Sequence, residues 1–145
     1  MAKIQLDIVT AERLLVSEQV DYISAPGIDG VLGILPRHAP LLTALTAGEL
    51  RYKKDDAEYE FAIGGGFMEV RPDHVTVLAD SAEHVEEIDE QRAEEARARA
   101  EQLLKEKGHA DPEAALIEHS LRRAEVRLKL ARRRRDHRRP GPGTE

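Results

Sequence analysis

The chain has 145 residues, 3% aromatic content, no tryptophan and no cysteine. That length holds one ordinary domain, or a small domain with an appendage. Without cysteine neither a disulfide framework nor a thiolate metal site is possible, and the scarcity of aromatic rings argues against a base-stacking nucleic-acid platform. The net charge of −6 hides an asymmetry: up to Glu83 the acids outnumber Lys and Arg two to one, whereas from Arg122 to Arg139 only Glu125 and Asp136 oppose a dense basic run. Such a split suggests two modules with different electrostatic partners.

The opening residues, Met1 to Asp7, lack the apolar core of a secretory leader. No stretch approaches the roughly 20 apolar residues of a membrane span. Any membrane association is therefore expected to come through a partner or the surface. Ile4, Leu6 and Ile8 alternate with Lys3, Gln5 and Asp7, the period-2 pattern of a half-buried strand. Val20 and Tyr22 carry that period into a second segment, which ends at Ala25-Pro26-Gly27. Leu50 and Tyr52, then Tyr59, Phe61 and Ile63, then Met68 and Val70, then Val75, Val77 and Ala79 predict further strands. Turn chemistry at residues 27–30, 54–56 and 72–73 separates them. Many short strands at close spacing predict an antiparallel sandwich or barrel ending near Asp80.

The period then changes. Residues 83–107 are rich in Ala, Glu and Arg and hold neither Gly nor Pro, which predicts a helix. Asp89 is a candidate N-cap, and the Glu90, Glu94 and Glu95 carboxylates suit the positive end of a helix dipole. Gly108 stops this helix, and Asp111-Pro112-Glu113 starts a second one. There Ile117, Leu121, Ala124, Leu128 and Ala131 form one narrow apolar stripe, matched by Ala93, Ala96, Ala100 and Leu103 on the first helix. A short connector makes an antiparallel helical hairpin the simplest arrangement. Its Ala-rich seam buries little area against the ordering entropy of two helices, so the hairpin is expected to be marginal by itself.

No catalytic constellation emerges, and the chain is not expected to be an enzyme. Gly64-Gly65-Gly66 lacks the Lys-Ser/Thr of a phosphate loop and reads better as a bulge or a close backbone approach. The six histidines are scattered, without metal-ligand spacing. The basic run Arg132-Arg133-Arg134-Arg135 has three readings: a solvated helix end, a nucleic-acid contact, or docking on an acidic protein surface. The stretch around Leu35-Pro36 and Pro40 cannot run as one central strand. It suits a loop that presents apolar side chains to a partner, or one buried inside the sandwich.

Two segments, GVLGILPRHAPLL at residues 30–42 and GGFMEVRPDHVTVLA at residues 65–79, resemble the signature segments of bacterial F-type ATP synthase epsilon subunits. With the strand-rich start and the helical hairpin, the resemblance covers residues 1–135. It implies a ten-stranded β-sandwich (1–84) at the foot of the central stalk, in contact with the gamma subunit and the c-ring, followed by a two-helix regulatory domain (85–139) and a disordered tail (140–145). The fold class is thus α+β, β then α. The helical domain is implied to fold down on the sandwich or to extend into the catalytic head, where it inhibits ATP hydrolysis by meeting acidic surfaces of the catalytic beta subunits. This favours the docking reading of the basic run, with no nucleic-acid partner. Leu35, Pro36, His38, Arg122, Arg132, Arg133, Arg134 and Arg135 are the residues assigned to partner contact or inhibition. IDEQRA at residues 88–93 is similar to the nucleotide-binding motif of epsilon subunits that bind ATP. The resemblance carries ATP contacts to Glu83, Ile88, Asp89, Arg92, Ala93, Arg99, Arg123 and Arg127. ATP is expected as a regulatory ligand, with no cofactor required and no metal. Location is expected at the cytoplasmic face of the cell membrane, as a peripheral subunit. The competing expectation is a free-standing ATP-binding sensor.

Overall fold

The computed structural model describes residues 2–138, and side chains as far as residue 136; the tail expected to be disordered at 140–145 lies outside the described residues. The chain divides into two compact units, Met1–His84 and Val85–Glu145. The first holds eight strands among the described residues: β1 Ile4–Val9, β2 Leu14–Val20, β3 Tyr22–Gly27, β4 Gly30–Ile34, β5 Leu41–Lys54, β6 Ala57–Val70, β7 His74–Ala79 and β8 Ala82–His84. The order is β2-β1-β7-β6-β5-β3-β4, with β8 paired to β6. All pairs are antiparallel except β1 with β7, which run parallel from Gln5 opposite His74.

Eight strands replace the ten implied by resemblance because β5 and β6 each run 14 residues without a break, paired from Leu41↔Val70 to Lys54↔Ala57. The long β6 changes partner midway. Phe61, Ala62 and Ile63 pair with β8, and Gly66 to Val70 pair with β7. The exchange takes place at the three glycines. Gly66 has φ 139°, and a Cβ there would lie 2.1 Å from the carbonyl oxygen of Leu78. The close-approach reading of that triplet therefore holds, since only Gly lets the two backbones come so near.

Most of the period-2 residues face inward as their spacing predicts, whereas Tyr59 keeps 37% of its surface exposed and Tyr22 is half-buried. Ile4, Leu6, Ile8, Phe61, Met68 and Val75 are fully buried in one core. The turns at 28–29, 55–56 and 71–73 fall where their residues allow them, with Asp55 in the left-handed region at φ 56°. The predicted second segment is two strands, divided at Asp21.

In the second unit a 3-10 turn over Val85–Glu87 leads to helix α1, Glu90–Lys107, and then to α2, Ala114–Arg138. The helix predicted from residue 83 thus begins at Glu90, where Asp89 caps it by accepting from the Arg92 N–H at 3.1 Å. Gly108, at φ 77°, ends it by donating to the carbonyl of Leu104 at 2.8 Å. Asp111 then accepts from the Glu113 N–H at 2.8 Å and starts the second helix. Ala93 and Ala100 are the buried residues of α1, and Ala124, Leu128 and Ala131 are buried on α2.

Candidate functional site

Three features of the two units are shaped for interaction. In the helical unit a cavity of about 290 Å3 opens between α1 and α2. Its floor is apolar, from Ala96, Ala100, Ala124, Leu103 and Ile117, and its rim carries Arg99, Arg123, Arg127 and the Ser120 hydroxyl. No carboxylate is among the lining residues. Three guanidinium groups above an apolar floor form a cradle for an anionic ligand with a flat apolar part, since the guanidinium fork matches phosphate oxygens two at a time.

The structure therefore brings together Arg99, Arg123 and Arg127 of the predicted nucleotide set. The rest lie elsewhere. Asp89 is occupied as the N-cap and faces Arg92, with Nε to Oδ2 at 3.8 Å. Arg92 is exposed, whereas Ile88 and Ala93 are buried. Arg92 and Arg99 are seven positions apart, about 10 Å along the helix axis. Glu83 belongs to the first unit, on β8 opposite Ala62.

The basic run is engaged within its own unit. Arg132 faces Glu90 at 3.6 Å and Glu94 at 3.3 Å, and Arg135 faces Glu90 at 2.8 Å. Arg134 donates to the backbone carbonyls of Val85 and Ile88. Glu94 is held below the usual carboxylate range, mainly by the Arg97 guanidinium and further by Arg132. Arg122 is exposed, and Arg133 is half-buried.

The third feature is a stripe on the outer face of the sheet, which period-2 reasoning missed. Strand pairing sets Leu14, Val9, Leu78, Phe67 and Ala44 side by side across β2, β1, β7, β6 and β5. Leu14, Leu78 and Phe67 keep 57%, 55% and 57% of their surface exposed. The signal was present: Phe67 beside Met68, and Leu78 beside Val77, make both parities apolar at those positions, so the outer face carries apolar side chains there. In the loop after β4, Leu35 is exposed while Pro36 and His38 are half-buried. The Arg37 N–H fixes this loop to the carbonyl of Pro72 at 2.8 Å. Ile34 beside it is fully buried, so the stretch buries one apolar residue and leaves its neighbour Leu35 exposed.

Two family models match end to end. Residues 3–85 match the β-sandwich domain of the ATP synthase delta/epsilon chain, and residues 86–132 match its long α-helix domain. The ATP synthase epsilon chain of Dehalococcoides mccartyi is 59% identical over 137 residues, 94% of this chain and 98% of that relative. The chain belongs to the ATP synthase epsilon chains. Similar relatives include the epsilon chains of Herpetosiphon aurantiacus, 55% identical over 92% of this chain and 97% of that one, and of Desulforamulus reducens, 48% identical over 90% and 99%. Among solved structures, a chain of the Euglena gracilis mitochondrial ATP synthase (OSCP/F1/c-ring) shares the fold with a TM-score of 0.73 and 24% identity, over 87% of this chain and 79% of that one. A chain of the Tetrahymena thermophila enzyme (central stalk/c-ring) does so with a TM-score of 0.58 and 19% identity, over 90% and 97%. An epsilon chain is a non-catalytic subunit of ATP synthase, not an enzyme by itself. Among the described residues of this epsilon chain, no helix is long and apolar enough to cross a membrane.

Proposed function

We propose that this epsilon chain is a rotor subunit of the central stalk of a proton-translocating F-type ATP synthase. It sits at the cytoplasmic face of the membrane and reaches the bilayer only through the complex. The sandwich holds the gamma subunit and the c-ring, and the helical hairpin is an ATP-responsive brake that acts on the catalytic beta subunits. The observation that carries the stalk reading is the apolar stripe through Leu14, Leu78 and Phe67. Large exposed apolar side chains on three strands, aligned in register with Val9 and Ala44, are what a permanent interface presents before its partner covers it. The groove under Arg99, Arg123 and Arg127 supports ATP as the ligand, with the phosphates on the arginines and the base toward the start of α1. A free-standing nucleotide sensor would need the groove but not the stripe.

The experiment is co-purification of the gamma subunit with tagged full-length chain. Exchanging Phe67 and Leu78 together for Asp should cut gamma retention at least tenfold, because centrally buried aromatic and aliphatic anchors contribute about 1.5–3 kcal/mol each. A parent chain that retains no gamma overturns the stalk reading and favours the sensor; gamma retained equally by the folded variant moves the contact away from Phe67 and Leu78.

A further inference from the structure

The connector at residues 108–113 ties α1 and α2 at one end of the helical hairpin. At the other end no covalent link joins them, and a thin alanine seam gives little resistance to parting. The basic residues of α2 are placed at that untied end. Arg134 spreads its two terminal nitrogens over main-chain acceptors that precede α1: Nη1 donates to the carbonyl of Val85, and Nη2 donates to the carbonyl of Ile88 at 3.3 Å. Arg135 faces Glu90 at 2.8 Å. Arg132 bridges Glu90 at 3.6 Å and Glu94 at 3.3 Å, one turn further along α1. Three successive positions of contact thus grip the segment from Val85 to Glu94.

We propose that Arg132, Arg134 and Arg135 form an electrostatic latch, which holds the untied end of the hairpin shut against Glu90, Glu94 and the carbonyls of Val85 and Ile88. The fork geometry matters for Arg134, because two carbonyls in different directions require two donors held in one plane. The carboxylate contacts are surface pairs, individually weak and screened by salt. The latch is therefore strong enough to bias the hairpin and weak enough to release it. It also makes the acids of α1 competitors for the cations that an acidic partner surface would take up. This last consequence rests on the brake reading; the latch itself does not.

The native chain has no cysteine, so two spin labels can be placed through Gln91→Cys and Lys129→Cys, both at exposed positions. Distances are then read on the full chain. The parent should give one narrow distribution. Glu90→Gln with Glu94→Gln, and separately Arg134→Gln, should raise the population at longer distance about three- to tenfold, the range expected from losing one or two exposed pairs or a charged hydrogen bond. Salt at 1 M, where the Debye length is about 3 Å, should reproduce the carboxylate variant in the parent. Arg134→Lys keeps the charge without the fork and should open the hairpin partway, with helix content unchanged by circular dichroism. Narrow, parent-like distributions in both the carboxylate variant and Arg134→Gln overturn the latch. With the catalytic head present, a carboxylate variant that opens should also inhibit hydrolysis more strongly. Opening without added inhibition overturns the brake reading and leaves the latch in place.

Discussion

Asp7 shows how a single side chain carries information about the sheet around it. It lies outward on β1, yet its carboxyl is held below the usual carboxylate range, first by the Ser17 hydroxyl of β2, then by Gln5 and by the His74 ring of β7. The His74 Nε2 to Asp7 contact is 2.7 Å. A carboxyl with a lowered folded-state pKa favours the folded chain fully above its unfolded value. That contribution is lost as pH falls through the folded value, so the window lies below about pH 4. Asp7→Asn should therefore lower stability by about 1–2 kcal/mol at neutral pH, the usual worth of a hydrogen-bonded charge. It should also give a shallower loss of melting temperature on acidification, followed by circular dichroism. A variant that melts like the parent at pH 7 and loses stability as steeply in acid contradicts this account. His74 appears in the sequence only as one of six scattered histidines. Its partner is 67 positions away, and period-2 alternation contains nothing that could join them.

Among elements, the strands whose inward residues are Ile, Val, Leu or Phe were legible from alternation alone, and so were the helix limits at Asp89 and Gly108. Two elements escaped: β4, Gly30–Ile34, which follows a turn and leads into the Pro-containing stretch read as a loop, and β8, because Ala82-Glu83-His84 has no β-forming side chain and runs into a stretch of good helix formers. β8 is a strand only because β6 offers it an edge at Phe61 to Ile63, a tertiary effect. The parallel pairing of β1 with β7 escaped for the same reason, since alternation identifies strands and not their neighbours. In the hairpin, Arg123 and Arg127 are four positions apart and so share a face, and both line the groove. Spacing could not show that Asp89 is already used as a cap. This affects the choice of test for ATP. Asp89→Ala removes a cap worth about 1 kcal/mol whether or not ATP binds, so its melting temperature alone decides nothing. Arg99→Ala and Arg123→Ala leave the cap intact. If the groove takes the phosphates, ATP at a hundred times its Kd should stabilise the parent by about 2.7 kcal/mol, and each arginine variant should lose most of that increment. Increments equal to the parent's in both variants place any nucleotide elsewhere.

At the scale of the whole molecule, the sandwich closes its core without the helices: the buried cluster that contains Ile4, Phe61 and Val75 lies entirely within residues 4–79. Residues 1–84 alone should therefore fold, with a cooperative melt and a β-type circular dichroism spectrum; a soluble but unfolded fragment would falsify this. The parallel pair adds a consequence in time. β1 needs β7 on one side, and Gln5 meets His74 only after most of the sandwich has been made. Sheets dominated by such distant pairings refold in milliseconds to seconds, and the isolated fragment should fall in that range by stopped-flow tyrosine fluorescence. During synthesis the delay is longer. At about 5–20 residues per second, β7 follows β1 out of the ribosome by roughly 3–14 s. Through that interval β1 can pair with β2 but keeps one edge bare, with Ile4, Leu6 and Ile8 not yet covered. An unpaired apolar strand recruits whatever strand it meets. The nascent chain is thus most exposed to aggregation, and most dependent on chaperones, in the seconds before His74 emerges.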